Sequence, residues 1–252
     1  MKLFIKIRYD GTEYSGYQVQ PNAPTVQNEL NKAFADLFRV PCDVVGCSRT
    51  DAGVHALEFC ATVQEHGSDS LNTTIPIERI PQALNVRLPG DISVYYAEFV
   101  PDEFHARYSV LTKTYEYRIL NSQHRDPFLT NRAYHLPAYI DEEGLERMRA
   151  AADKLIGKHD FASFMAAGSK ITDTARTVYS CTVKCEREMI VIRISADGFL
   201  YNMVRIICGT LVEVAKGNIS VDDIDEVILA CDRRKAGPTL PPHGLYLAEV
   251  KY

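Results

Sequence analysis

The sequence lacks any apolar run that approaches the roughly 20 residues of a membrane-spanning helix. Its 252 residues are 46% hydrophobic and 24% charged, as in soluble globular proteins, and suffice for one large domain or two of ordinary size. Near the start, Leu3, Ile5 and Ile7 alternate with Phe, Lys and Arg. We therefore expect the chain to begin with a β-strand, not a signal peptide, and to have no membrane partner.

The sequence also lacks a C-x-x-C pair, although it contains seven cysteines. Cys181 and Cys185 lie four residues apart in a stretch typical of a strand, a spacing that does not favour metal ligation. An odd number of cysteines without metal-site spacing indicates free thiols in a reducing compartment. We predict a cytoplasmic protein without a metal site.

The sequence also lacks an excess of positive charge: its net charge is −5. This argues mildly against a nucleic-acid partner. Phosphate binding, however, needs a local field and not a positive total. Between residues 104 and 135 the chain has five Lys or Arg and two acids, a balance of +3, and three histidines as well. A local basic surface is therefore compatible with the composition.

Residues 46–56, G-C-S-R-T-D-A-G-V-H-A, form a polar stretch between two apolar runs. The pattern predicts a strand, a tight loop and a second strand, with Gly46 and Gly53 allowing backbone angles or close approaches that a side chain would forbid. Asp-Ala-Gly is also typical of an ordinary Asx turn. A carboxylate beside an Arg is more often a structural ion pair than a catalyst. Spacing alone leaves these alternatives open.

The run R-T-D-A-G-V-H at residues 49–55 closely resembles the catalytic loop of the tRNA pseudouridine synthases of the TruA family. The resemblance extends along nearly the whole chain. Further stretches that match family patterns are Y-S-G-Y-Q at 14–18, N-V-R-L-P-G-D-I at 85–92, F-H-A-R at 104–107, K-T-Y-E-Y at 113–117, H-D-F-A-S-F at 159–164, F-L-Y-N-M-V-R at 199–205 and G-L-Y-L at 244–247.

The resemblance implies roles at the centre of the site. On this resemblance, Asp51 would be the catalytic carboxylate. Arg205, in an otherwise apolar helix, is the cation that holds Asp51, since a buried Arg needs a partner. Arg49 fills the space left by the extruded base or grips a flanking phosphate. Tyr115 stacks on the target base, although two Tyr on one face of a strand are usually only a packed sheet.

The resemblance also implies contacts with RNA around that centre. Leu245 would cover the flipped base, with core packing as the alternative. Arg107 and Lys113 would contact the RNA backbone, and for Arg107 a surface salt bridge is the alternative. Tyr17 stands where the family usually has Trp; because both rings can stack, we predict a retained contact with RNA there.

Periodicity predicts a mixed α+β protein. The resemblance adds the pseudouridine-synthase fold: two α+β halves whose antiparallel sheets join edge to edge, with helices packed on the sheets and the active-site cleft between the halves. We predict an N-terminal half at residues 1–105, which carries the catalytic loop, and a C-terminal half at residues 106–252, which completes the cleft.

The implied reaction isomerises uridine to pseudouridine at positions 38–40 of the tRNA anticodon stem-loop, in an enzyme that acts as a homodimer. The N-glycosidic bond breaks, and the base rotates and rejoins the ribose through carbon 5. Neither hydrolysis nor redox chemistry is involved, so we predict no metal and no cofactor. One carboxylate must reach both base and ribose, and base extrusion costs a few kcal/mol.

Three other interpretations remain. A non-catalytic RNA-binding or RNA-folding protein would be expected to lack the Asp, the Arg or the Tyr, and all three are present. A hydrolase with an Asp nucleophile would need a second carboxylate or a metal cluster near Asp51. A paralogue could modify another tRNA position or another RNA, and Tyr17 in place of Trp is the departure that leaves this open.

Overall fold

The computed structural model describes residues 1–169 and 171–252. The chain forms two compact units, one of residues 1–111 with 246–252 and the other of residues 112–245.

These units differ from the predicted division at residue 105 because the end of the chain returns to the first unit. The Tyr252 hydroxyl donates to the Ala106 carbonyl oxygen at 2.8 Å, and the Leu111 N–H donates to the Lys251 carbonyl oxygen at 2.8 Å. These bonds hold residues 106–111 and the last strand within the first unit.

The described residues form ten β-strands and five α-helices, the mixed α+β composition that the sequence predicts. The strands are β1 (Lys2–Tyr9), β2 (Cys42–Gly46), β3 (His55–Glu65), β4 (Ile92–Val100), β5 (Thr112–Leu120), β6 (Tyr134–His135), β7 (Gly157–Asp160), β8 (Ala175–Glu186), β9 (Met189–Ala196) and β10 (Leu245–Lys251). The helices are α1 (Val26–Phe38), α2 (Ile80–Asn85), α3 (Glu142–Lys154), α4 (Met203–Ala215) and α5 (Asp223–Ala230).

Helix α1 shows how the sequence sets these boundaries. The Thr25 side chain accepts a hydrogen bond from the Asn28 N–H and caps the first turn. Apolar residues then recur at helical spacing, so one face of the helix is buried. The helix ends at Phe38, and the next residue, Arg39, caps it with a left-handed φ of 61°. The buried residues are Val26, Leu30, Ala33 and Phe34.

In the first unit the strands are ordered β4–β1–β3–β10, and β2 also pairs with β3. β1 pairs antiparallel with β3 and β4, and β2 pairs antiparallel with β3. β10, in contrast, pairs parallel with β3, with Tyr246 opposite His55 and Leu247 opposite Ala56. The sheet is therefore mixed, because β10 arrives by a long connection that imposes no hairpin reversal.

In the second unit the strands are ordered β5–β9–β8–β7, all antiparallel. The short strand β6 pairs parallel with β5, with Ile119 opposite Tyr134. Helix α3 packs on β8 and α4 packs on β5. Strands β8 and β9 are consecutive in the chain and form a hairpin.

Across residues 1–169 and 171–252, every helix is too short or too polar to cross a membrane.

Candidate active site

The loop of residues 47–54 joins β2 to β3 in the first unit. The antiparallel ladder runs to the pair Gly46 and Ala61, and the Cys47 N–H adds one more bond to the Cys60 carbonyl oxygen at 2.8 Å. Arg49 and Asp51 therefore extend from the end of a paired, buried ladder, and the sheet fixes where their backbone lies.

Glycines shape this loop as the sequence predicts. Gly53 has a φ of +76°, and the Val54 N–H closes a turn onto the Asp51 carbonyl oxygen at 3.2 Å. Gly46 permits a close approach, because a Cβ there would lie 2.6 Å from the Tyr17 and Phe59 rings. A side chain at Gly53 would strain the turn that begins at Asp51.

Thr50 anchors the loop between the two candidate functional residues. Its side chain is buried, and its hydroxyl lies 2.8 Å from the Tyr9 hydroxyl. Its carbonyl oxygen accepts a hydrogen bond from the Tyr17 N–H at 3.1 Å. Because the middle residue is buried, its neighbours lie nearer the surface: Arg49 is exposed and Asp51 is half-buried. Both can therefore contact a ligand from a fixed backbone.

A second segment supports the loop. The Gly53 N–H donates to the Tyr14 carbonyl oxygen at 3.3 Å. At Gly11 a Cβ would lie 2.0 Å from the Val54 carbonyl oxygen, so only glycine fits. The sequence analysis did not identify this support. The available signal was a glycine following a strand, which indicates a close backbone approach as well as a turn.

His55 belongs to the same support. It is buried, its Nδ1 accepts the Gly11 N–H at 3.0 Å, and its ring stacks on Tyr246 at 4.7 Å between centroids. Asp10 Oδ1 also lies 3.1 Å from this nitrogen. A nitrogen that accepts from Gly11 cannot also donate to Asp10, whose oxygen accepts from the Thr12 N–H at 3.0 Å. We therefore assign His55 to positioning the loop.

Tyr17 does not occupy the RNA-facing position that the sequence predicted. Only 1% of the residue is exposed, and its ring stacks on Phe59 with centroids 4.3 Å apart. Burial raises the pKa of its phenol, which stays protonated. A ring this buried cannot stack on RNA in this conformation. Tyr17 is buried because a large aromatic side chain in an irregular segment can stabilise the loop of residues 47–54 by packing beneath it.

Arg107 lies close enough to Tyr17 for its charge to oppose the rise in the Tyr17 pKa. The Tyr17 hydroxyl and Arg107 Nε are both buried, and neither finds a hydrogen-bond partner among residues 1–169 and 171–252. The rest of Arg107 is half-buried. Arg107 is thus partly committed to the interior, and a phosphate contact would use its outer guanidinium nitrogens.

In the second unit, Tyr115 and Lys113 lie two residues apart on β5. Tyr115 is opposite Ile194 and Lys113 is opposite Ala196. The Tyr115 ring meets Phe199 edge to face, with centroids 5.1 Å apart and planes at 86°. Tyr115 is buried and Lys113 is half-buried. The aromatic contact fixes the ring plane of Tyr115, as a stacking residue requires.

Arg205 lies in the first turn of α4, and the same unit supplies acceptors for it. Its Nε donates to the Leu240 carbonyl oxygen at 2.7 Å, and its terminal nitrogen donates to Asn202 Oδ1 at 2.7 Å. The Leu240 N–H in turn donates to the Arg205 carbonyl oxygen at 3.2 Å. Arg205 therefore links α4 to the segment that precedes β10. The first residue of β10, Leu245, is buried.

The predicted site residues thus fall into two groups. Arg49, Asp51, Tyr17 and Arg107 belong to the first unit, and Lys113, Tyr115, Arg205 and Leu245 belong to the second.

Comparisons with known proteins agree with the resemblance in the loop. A family model described as tRNA pseudouridine synthase matches residues 5–109 and 151–252. The tRNA pseudouridine synthase A of Thermoanaerobacter sp. (strain X514) is 46% identical over 250 residues, which cover 99% of each chain. That of Bacillus subtilis (strain 168) is 45% identical over 256 residues, which cover 100% of this chain and 99% of the relative.

A solved structure, of a Cbf5-Nop10-Gar1 complex, aligns with 82% of this chain and 43% of the matched chain at 11% identity. Its TM-score of 0.35 is too low to support an argument. The full-length relatives and the family model establish which family the chain belongs to. The chain belongs to the tRNA pseudouridine synthase family.

Proposed function

We propose that this protein isomerises uridine to pseudouridine at positions 38–40 of the tRNA anticodon stem-loop, with Asp51 as the catalytic carboxylate. The observation that carries the proposal is the unbroken run from Arg49 to His55 on a loop that anchors Thr50 in the interior and leaves Asp51 half-buried. Family membership supports the reaction and the tRNA substrate. The positions within tRNA are the finer part of the proposal.

The chemistry defines what Asp51 must do. The bond between N1 of the base and C1′ of the ribose breaks, and a bond between C5 and C1′ forms. The proton on C5 is lost to solvent and N1 gains one, so the reaction is an isomerisation. A carboxylate can attack C6 of the base, act at C1′, or remove a ribose proton. Each route requires an ionised Asp51 that reaches base and ribose.

The neighbouring residues have separate tasks in this proposal. Arg49, exposed beside Asp51, occupies the space left by the extruded base or binds a flanking phosphate. Tyr115 stacks on the base, with its ring plane fixed by Phe199. Base–aromatic stacking contributes about 1–3 kcal/mol, which offsets much of the extrusion cost. Leu245 covers the flipped base.

Contacts with the RNA backbone complete the proposed site. Lys113 and Arg107 bind phosphates of the stem-loop, Arg107 through its outer nitrogens. Tyr17 takes no part in contacting RNA and stabilises the loop from within.

We propose that Arg205 supports turnover, because its guanidinium lies at the start of an apolar helix and is the cation that the family pattern assigns to the catalytic carboxylate. Arg205→Met keeps the apolar stem of the side chain and removes the charge. We expect turnover to be abolished while the fold and tRNA affinity persist. Circular dichroism and filter binding check the fold and affinity, and near-normal turnover would refute the role of Arg205.

We also propose that the enzyme acts as a homodimer in the cytoplasm. All seven cysteines, each within the described residues, are free thiols, which a reducing compartment preserves. Sedimentation equilibrium measures the oligomeric state, and a monomer at assay concentration would contradict the dimer.

The position of the product tests the proposal as a whole. Unmodified tRNA transcripts with uridines at 38, 39 and 40 are incubated with the protein, treated with a carbodiimide that marks pseudouridine, and reverse-transcribed. We expect stops at these uridines and no new stops elsewhere. Stops confined to another region of the tRNA would overturn the assignment of the anticodon stem-loop, and their absence would overturn the activity.

A further inference from the structure

The loop of residues 122–133 in the second unit presents an apolar side chain to solvent. Phe128 at its tip is 89% exposed, the highest value among the large apolar side chains in the described part of the chain. A scattered exposed apolar residue is ordinary. This one differs because the hydrogen bonds that hold the loop do not involve its ring.

The base of the loop is fixed by a buried Asn and a short strand. Asn121 donates to the carbonyl oxygens of Leu136, at 3.1 Å, and Ala138, at 2.7 Å, and accepts from the Ile140 N–H at 3.0 Å. The strand β6 pairs with β5 directly after the loop. Both ends of the loop are therefore held together by buried polar contacts.

The tip has its own hydrogen bonds. Asp126 caps a turn by accepting the Phe128 N–H at 2.9 Å on its carboxylate, and its carbonyl oxygen accepts the Leu129 N–H at 3.1 Å. Leu129 then accepts the N–H groups of Arg132, at 2.9 Å, and Ala133, at 3.1 Å. Polar contacts thus fix the backbone that carries Phe128, and its ring is left in water.

The loop that carries Phe128 has two cationic side chains. Arg125 and Arg132 are both exposed. Asp126 is the loop's one carboxylate, and one of its oxygens accepts the Phe128 N–H. Aromatic residues and Arg are enriched at protein–protein interfaces as well. The positive balance of this loop, however, complements an RNA backbone, and an exposed aromatic side chain on a basic segment is typical of surfaces that stack on unpaired bases and bind the adjoining phosphates.

We propose that Phe128 stacks on an unpaired base of the substrate tRNA, outside the target uridine, and that Arg125 and Arg132 bind the phosphates beside that base. This inference rests on the proposed function and adds a second point of contact to it. Because hydrogen bonds already hold the loop backbone, we expect it to lose little conformational entropy on binding, so that the contact adds to affinity.

Binding is measured with the full chain carrying Asp51→Ala, so that no substrate is converted. Filter binding gives the Kd for an unmodified tRNA transcript. Adding Phe128→Ala should raise Kd about 5- to 100-fold. Phe128→Trp, which preserves stacking, should stay within about threefold of the parent. The matched control is Leu229→Ala, an 81% exposed apolar residue on the acidic helix α5, which should leave Kd unchanged.

Equal Kd values for Phe128→Ala and Leu229→Ala would overturn the inference. So would a change of oligomeric state in Phe128→Ala, because it would assign the ring to contact between copies of this chain. The proposed function is judged separately, by pseudouridine formation with the otherwise unchanged protein. The binding comparison decides the role of Phe128 whether or not pseudouridine forms.

Discussion

Asp51 and Arg49 owe their placement to the residue between them. Thr50 turns inward to the Tyr9 hydroxyl, so its neighbours must turn toward the surface. The motif in the sequence predicted that these two residues are functional. It did not identify the anchoring partners, because a Tyr in a neighbouring strand carries no local signal that it reaches this loop.

The Tyr17 hydroxyl gives a prediction of stability. Leaving a buried hydroxyl unpaired costs about 1–3 kcal/mol, so Tyr17→Phe should leave the free energy of unfolding unchanged or raise it by about 1 kcal/mol. Tyr14→Phe is the matched control, because the Tyr14 hydroxyl donates to Asp91 Oδ1 at 2.7 Å. That variant should lose about 1–2 kcal/mol. Urea unfolding measures both, and equal losses would contradict this interpretation of Tyr17.

His105 gives a prediction of pH dependence. Burial, and then the charge of Arg107, lower its pKa from the ordinary value of 6.5. Its Nδ1 accepts the N–H groups of Arg107, at 3.1 Å, and Tyr108, at 3.3 Å. The folded state therefore favours neutral His105, whereas the unfolded chain takes up the proton near pH 6.5. This contribution to stability is present above pH 6.5 and is lost as pH falls below it.

The test replaces His105 by Asn, which keeps an acceptor near the same position and does not titrate. Urea midpoints at pH 7.5 and 5.5 should differ less in His105→Asn than in the parent. An identical pH dependence in the two proteins would assign the acid sensitivity to other groups.

At the scale of elements, the site is a loop between two paired strands with a second segment pressed against it. Gly11 makes that contact possible, since a Cβ would overlap the Val54 carbonyl oxygen at 2.0 Å. The strand–loop–strand unit was predictable from its apolar runs and glycines. The segment around Gly11 that supports the loop was not predictable, because a contact between two distant segments leaves no periodic pattern in the sequence of either segment.

Gly11→Ala should therefore move the loop of residues 47–54. We expect a loss of about 1–3 kcal/mol in stability and a larger proportional loss in kcat than in tRNA affinity. Gly90→Ala is the control, because in the described part of the chain a Cβ there would have no atom within 4 Å apart from Gly90 itself and its two chain neighbours. Unfolding and turnover are measured on both variants. Unchanged kcat in Gly11→Ala would show that the loop does not depend on this contact.

Among the other elements, too, some were predictable from the sequence and others were not. Helix α1 was predictable because Thr25 caps it and apolar residues recur along one face. The parallel pairing of β10 with β3 was not, since nothing near Tyr246 indicates that it lies opposite His55. The burial of Tyr17 was not predictable either, because an aromatic in an irregular segment has no period that assigns it to the core or to the surface.

For the whole molecule, a net charge of −5 is compatible with a tRNA substrate because cations are concentrated between residues 104 and 135. Composition alone would have disfavoured this partner. The loop motif and matches along nearly the whole chain identified the family, and the full-length relatives confirm it. The division of the chain at residue 105 overlooked the return of the last strand to the first unit.

The most direct test of the account is tritium release from tRNA labelled at carbon 5 of uridine, with the wild type and Asp51→Ala assayed side by side. Carbon 5 loses its hydrogen when it bonds to the ribose, so release reports the chemical step itself. We predict release by the wild type and none above background by Asp51→Ala, with tRNA binding retained in both. Equal release by the two proteins would contradict the assignment of Asp51 as the catalytic carboxylate.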